Sequence, residues 1–186
     1  MEVRRLQIPE VVLVVPDVHR DPRGFFLESW HARKYAEAGI DQPFVQDNHS
    51  RSAGGILRGL HAQLRNPQGK LVRASAGKVW DVAVDIRPDS PTFGRWVAET
   101  LSEENAHQLW VPPGFAHGFC VLSESADFEY KCTTFYDPED EIAIRWDDPA
   151  IGIGWPISEP LLSERDRNAP LLADCEARLR TAAAGV

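Results

Sequence analysis

Between Lys78 and Ile86 the chain alternates with period two: Trp80, Val82, Val84 and Ile86 fall on one side, and Val79, Asp81, Ala83 and Asp85 on the other. The pattern predicts a strand with one firmly apolar face. Shorter apolar runs at Leu71 to Ala74, Trp96 to Leu101, Gln108 to Val111, Gly118 to Leu122, Phe128 to Phe135 and Ile142 to Trp146 predict further strands. Turn chemistry separates several of them, at Arg87-Pro88-Asp89-Ser90-Pro91, Pro112-Pro113-Gly114 and Asp137-Pro138-Glu139-Asp140. The body therefore reads as all-β, in the form of a sandwich, a barrel or a jelly roll. Helix is expected in small pieces: Trp30 to Ala38 with Ser29 and Gly39 as caps, one turn after Ser102, and a peripheral alanine-rich tail over about residues 173–186 whose end frays.

Composition narrows the function. A length of 186 residues suits one sizeable core, so a single domain is expected, with no repeat and no low-complexity linker. The formal net charge of −8 argues against a dedicated nucleic-acid binder and requires that any anionic ligand be met by a local arginine cluster. The aliphatic run Val11 to Val15 falls far short of a membrane span, and Pro9, Glu10, Pro16 and Asp17 break any signal-peptide core after Arg4 and Arg5, so a cytoplasmic protein with no membrane partner is expected. Cys120, Cys132 and Cys175 fit no paired metal spacing and read as small buried thiols.

The densest chemistry lies between Asn48 and Arg73, where Arg51, Arg58, His61, Lys70 and Arg73 are spread around glycines within about two strands. If Arg58, His61 and Lys70 face one cavity, they offer a cation for phosphate, a base titrating near neutral pH and a compact donor for a developing oxyanion. On spacing alone, solvated strand edges with a hydrogen-bonded histidine are the better explanation of them. His117, between Phe115 and Phe119, reads either as a core histidine or as a cavity residue. The spacing of Pro112, Gly114 and His117 resembles the second signature of cupins, small jelly-roll barrels that often hold a metal. The first signature is defective, because His61 is followed by Ala62 and Gln63 where a metal-binding cupin has a second histidine and then a glutamate. Two imidazoles without an ordered carboxylate make a poor divalent-ion site, so no catalytic metal and no cofactor are expected.

Several segments, taken in order, carry a specific resemblance. They are Arg23-Gly24-Phe25-Phe26-Leu27-Glu28-Ser29, Phe44-Val45-Gln46-Asp47-Asn48-His49-Ser50, Leu57-Arg58-Gly59-Leu60-His61, Gln68-Gly69-Lys70-Leu71-Val72-Arg73, Asp81-Val82-Ala83-Val84-Asp85, Ser90-Pro91-Thr92-Phe93-Gly94, Leu109-Trp110-Val111-Pro112 with Gly114-Phe115-Ala116-His117-Gly118-Phe119, Tyr130-Lys131 and Leu162-Ser163-Glu164-Arg165-Asp166. Together they resemble the dTDP-4-dehydrorhamnose 3,5-epimerase family. The resemblance implies a metal-independent cupin-type jelly roll, with short peripheral helices and a C-terminal helical tail, that works as a homodimer on a dTDP-4-keto-6-deoxyhexose. It implies His61 as base, Asp166 as the carboxylate that holds its tautomer, Tyr130 as acid on the far face of the sugar, and Lys70 at the enolate oxygen. Arg23 and Arg58 are the expected phosphate contacts, Gln46 and Asn48 neutral donors, Tyr136 a shelf for thymine, and Glu28 and Glu141 contacts to base or ribose. His117 would contact or support the substrate, oriented by Asp81 or Asp85. Arg23, Phe25 and Glu28 are expected to act across the dimer, supplied by an N-terminal segment of about residues 1–50. Ala62, where many relatives carry an aromatic residue, is expected to enlarge the pocket and leaves open whether one carbon or both are inverted. A non-catalytic sugar-nucleotide binder would keep the arginines and the aromatic shelf but need neither acid nor base.

Overall fold

The structure, a computed structural model, describes residues 1–185. In chain order its elements are β1 (Glu2–Arg5), β2 (Val12–Val15), β3 (Val18–Asp21), β4 (Gly24–Leu27), α1 (Ala32–Glu37), β5 (Gln46–Ala53), β6 (Leu57–Gln63), β7 (Lys70–Ala76), β8 (Lys78–Asp85), β9 (Trp96–Ser102), β10 (Gln108–Val111), β11 (Phe115–Val121), β12 (Ser125–Cys132), β13 (Glu141–Ala143), α2 (Glu164–Arg167) and α3 (Leu172–Ala184). They form a six-stranded sheet β1-β2-β10-β7-β12-β5, a five-stranded sheet β13-β6-β11-β8-β9 and a separate hairpin β3-β4. The two large sheets face each other as a jelly roll.

Residues from both sheets meet in one core, with Val72, Ala74, Leu109 and Phe128 from the first against Val79, Ala83, Val97, Phe115 and Phe119 from the second. Phe119 and Phe128 stack across the gap at 4.0 Å. Alternation along β8 has an unexpected outcome. Val82, Val84 and Ile86 do not face the other sheet; they turn outwards beneath Leu172, Cys175 and Leu179 of α3, and Trp80 packs edge-on against Trp155 at 5.2 Å. The mixed face, Val79, Asp81, Ala83 and Asp85, is the one turned towards the interior, and both of its aspartates are fully buried. The second large sheet is therefore covered on both sides. A third cluster packs Tyr35 of α1, and Ile40 after it, on Val12, Val14, Leu71 and Trp110.

Several boundaries move from their sequence expectation. The strand expected at Phe128 to Phe135 is β12, Ser125–Cys132, ending where the chain bends at Thr133 and Thr134. The stretch from Asn48 to Arg73 holds three strands, β5, β6 and β7, rather than about two. Helix α1 is shorter than expected and is capped by the His31 imidazole, which accepts from Lys34 N at 3.5 Å, rather than by Ser29. The Ser29 carbonyl instead accepts from the Tyr35 hydroxyl and the Gln108 amide. After Ser102 there is no helix but a reciprocal turn, in which Asn105 N donates to Ser102 Oγ and Ser102 N to Asn105 Oδ1. The tail is helical through Ala184, and the last residue of the expected tail, Val186, lies outside the described residues. All three cysteines are buried free thiols.

Candidate active site

A cavity of about 370 Å³ opens between the sheets. Strand parity fills it. Gln46, Asn48 and Ser50 on β5 lie opposite Cys132, Tyr130 and Phe128 on β12, and Lys70 lies opposite Cys132 from the other side, so the inward residues of three adjacent strands meet there. From the second sheet, His61 on β6 pairs with His117 on β11, and Phe119 with Arg58. Strict alternation would send Arg58 and His61 to opposite faces. They share the cavity because the ladder slips by one residue between them, and Gly59 absorbs the slip at a φ of +110°. A Cβ on Gly59 would stand 2.6 Å from the His117 carbonyl oxygen, so glycine is required there.

Two histidine–carboxylate pairs form the cavity's chemical centre. His61 Nε2 donates to Asp166 Oδ1 at 2.6 Å. Asp166 rides on α2, whose N-cap Ser163 accepts from the Asp166 amide at 3.0 Å, so this one-turn helix serves to aim the carboxylate. Burial alone would raise the Asp166 pKa, but the bond to His61, its charge and the Ser163 contact outweigh it and hold the carboxyl below its ordinary range. With Nε2 committed to Asp166, a neutral His61 carries its lone pair on Nδ1. Deeper in, His117 Nε2 donates to Asp81 at 2.9 and 3.1 Å, and its ring stacks on Phe128 at 6.0 Å. Of the two aspartates expected as its support, Asp81 fills the role; Asp85 instead accepts from Arg87, Ser90 and Thr92. Burial pushes Asp81 up, against the pull of His117 and Lys70.

Lys70 has its ammonium pKa lowered by burial, with Cys132, Glu141 and Asp81 pulling the other way. Tyr130, a phenol protonated at neutral pH, has its pKa raised further by burial. Arg58 is anchored by Nε to Ser52 Oγ at 3.0 Å, which leaves the rest of its guanidinium for a ligand. At the rim the Tyr136 hydroxyl donates to Glu141 at 2.9 Å, and Arg165 donates to the same carboxylate. Gln46 and Asn48 line the wall but are bonded to each other, Gln46 Nε2 to Asn48 Oδ1 at 3.0 Å.

The cavity thus gathers His61, Lys70, Tyr130, Gln46, Asn48, Arg58, His117, Tyr136 and Glu141, with Asp166 directly behind His61. Arg23, Phe25 and Glu28 are not among its lining residues. Arg23 pairs with Asp21, Phe25 is 62% exposed beside Arg20, and Glu28 pairs with Lys34 at 2.8 Å. Arg51 and Arg73 likewise pair with Asp127 and Glu129 outside it. Ala62 does not enlarge the pocket: one residue on from His61, it faces the outer cluster under α3. Arg165, Gln68, Ser50, Phe119 and Phe128 also line the wall, and neither sequence pattern nor resemblance assigns them to the site. For Arg165 a signal existed, since it directly precedes Asp166 at the start of a helix.

The donor set does not suit a divalent ion. Among the described residues no three His, Cys, Asp or Glu side chains converge on one point, and each cavity imidazole already spends Nε2 on a carboxylate.

A jelly roll whose cavity opposes a histidine–carboxylate dyad, a half-buried lysine and a phenol defines an acid–base enzyme of the cupin type. The sequence profile of the dTDP-4-dehydrorhamnose 3,5-epimerase family matches residues 5–174, and the chain belongs to that family. It is 58% identical over 178 residues to the dTDP-4-dehydrorhamnose 3,5-epimerase of Pseudomonas aeruginosa, covering 95% of this chain and 98% of the relative. Among solved structures it resembles dTDP-6-deoxy-D-glucose-3,5-epimerase from Legionella pneumophila in complex with dTDP-4-keto-L-rhamnose, with a TM-score of 0.93 and 53% identity over 96% of each chain. It also resembles a 3'-monoepimerase from Streptomyces bikiniensis in complex with dTDP-quinovose, with a TM-score of 0.88 and 35% identity over 97% of this chain and 94% of that one.

Proposed function

We propose that this chain epimerises dTDP-4-keto-6-deoxy-D-glucose at C3 and C5 to dTDP-4-keto-L-rhamnose. The observation that carries the reading is the pairing of His61 with Asp166 at 2.6 Å in the same cavity as Tyr130 and Lys70. A ketone at C4 acidifies the C–H bonds on either side, because the electron pair left behind delocalises onto oxygen as an enolate. Inversion then requires proton removal from one face and delivery to the other. His61 removes the proton through Nδ1, and Asp166, an anion at neutral pH, stabilises the imidazolium that forms. The Lys70 ammonium meets the enolate oxygen, where a fixed donor lowers the barrier by about 3 kcal/mol. Tyr130, a phenol protonated at neutral pH whose pKa burial raises further, returns a proton to the opposite face. His117, held by Asp81, lines the sugar pocket.

Binding comes mostly from the nucleotide. Arg58 and Arg165 meet the diphosphate, Tyr136 offers its ring to thymine, and Glu141, Gln46 and Asn48 complete the polar wall. The exposed hairpin β3-β4, with Arg23, Phe25 and Phe26 at 62% and 70% exposure for the two aromatics, fits a homodimer in which Arg23, Phe25 and Glu28 reach the partner's cavity. Three buried free thiols fit a reducing, cytoplasmic setting. Among the described residues no helix is long and apolar enough to cross a membrane.

Incubation with the keto sugar in deuterated water, followed by NMR, tests the reading: deuterium is expected at both C3 and C5, and His61→Asn is expected to abolish it. No exchange in the folded parent protein would favour a sugar-nucleotide binder. Likeness to a monoepimerase supports a second reading, inversion at one carbon, which the same spectrum distinguishes by label at a single position.

A further inference from the structure

Tyr136 stands on the segment between β12 and β13, which has no strand or helix to hold it. Three glutamine side chains hold it instead. The peptide unit joining Phe135 to Tyr136 is gripped on both edges: its carbonyl accepts from Gln63 Nε2 at 3.3 Å, and its N–H donates to Gln46 Oε1 at 2.9 Å. The next N–H, of Asp137, donates to Gln63 Oε1 at 2.9 Å. One residue before the pair, the Thr134 carbonyl accepts from Gln68 Nε2 at 2.7 Å. Gln63 also donates to the Asn66 carbonyl at 2.9 Å, so both ends of its amide are satisfied while the side chain is 5% exposed. A buried primary amide that ties three backbone groups together is costly to leave unpaired, and it admits few positions of the loop it holds.

Gln63 lies two residues beyond His61 on β6, with its side chain on the same face, and opposite Glu141, which holds the Tyr136 hydroxyl. Two residues of strand span about 6.6 Å. The strand that carries the base therefore also carries the anchor of the aromatic at the mouth.

We propose that Gln63 is a positioning residue for nucleotide recognition: with Gln46 and Gln68 it fixes the Phe135–Tyr136–Asp137 backbone, and so sets the distance from the nucleobase shelf to His61. Gln63 itself touches neither the sugar nor the base. The inference rests on the reading of Tyr136 as a thymine contact, and a double-mutant cycle on the full chain separates the two. In titration calorimetry with dTDP, Tyr136→Ala and Gln63→Met are each expected to weaken binding about tenfold, and the double variant to be no weaker than Tyr136→Ala alone. With the keto sugar, Gln63→Met is expected to raise KM about tenfold while kcat stays within about twofold. Should Gln63→Met fail to fold, Gln68→Met, expected to weaken dTDP about threefold, enters the same cycle. An unchanged affinity in Tyr136→Ala overturns the base-contact reading and the inference with it. A weakened Tyr136→Ala beside an unchanged Gln63→Met, losses that add in the double variant, or an equal fall in kcat overturns the inference alone.

Discussion

The bond between His61 and Asp166 spans 105 positions of sequence, and its value lies in which nitrogen it occupies. An amide at position 166 would offer a donor as readily as an acceptor and would no longer compensate an imidazolium. Asp166→Asn is therefore expected to keep the fold, by circular dichroism, and to lower kcat about a hundredfold or more in an NMR assay of product formation. At this scale spacing alone leaves solvated strand edges open, and it is the resemblance that singles out His61, Lys70, Tyr130, Arg58 and Asp166; the structure brings the first four into one cavity with Asp166 behind His61. The choice of Asp81 over Asp85 is legible in neither. Both lie on the same face of β8, two residues either side of the Ala83 that pairs with His117, and what separates them is that Arg87, Ser90 and Thr92 occupy Asp85 while Asp81 is left for His117. Arg23 and Glu28 stand at the opposite limit, since their chemistry is legible but their own chain gives them no cavity to face.

At the scale of elements, the slip between β6 and β11 turns two residues of opposite parity into neighbours. Gly59→Ala would place a methyl 2.6 Å from the His117 carbonyl and 2.7 Å from the Gly118 Cα, in a backbone conformation that side chains rarely adopt. Urea unfolding is expected to record a loss of about 2 kcal/mol or more, and activity should fall further than stability accounts for, because relief of the clash moves Arg58 relative to His61. Period-two patterning found β8, β9 and β10 with nearly their observed limits. It missed β1, β3 and β4, whose exposed or half-exposed residues alternate with no buried face. It also missed α2, whose four residues offer no apolar period; what betrays that helix is Ser163 placed three residues before Asp166.

For the whole molecule, acid response follows from where the carboxylates sit. Donors hold Asp166, Asp140 and Asp85 below the ordinary range despite burial. Each therefore adds stability that is fully present above the unfolded pKa of about 4 and is lost as pH falls through the lowered folded value. Melting temperature is expected to be nearly level from about pH 7 to pH 5 and to drop steeply below about pH 4, as differential scanning calorimetry would show. Asp81, raised by burial, works in the opposite sense and softens that drop. The orientation of β8 was not legible in its pattern, because the rule that the apolar side faces the core presumes a sheet with one wet face, and α3 removes that condition here. Layering of this kind shares one duty and confines another: cohesion comes from both sides of the second sheet, through the core between the sheets and the packing beneath α3, while reactivity is confined to the inner side. Asp81, an interior position outside the apolar clusters, is thereby released from supplying oily contact, and a descendant could exchange it for another polar group, acquiring altered sugar chemistry while the packing beneath α3 continues to keep the scaffold intact.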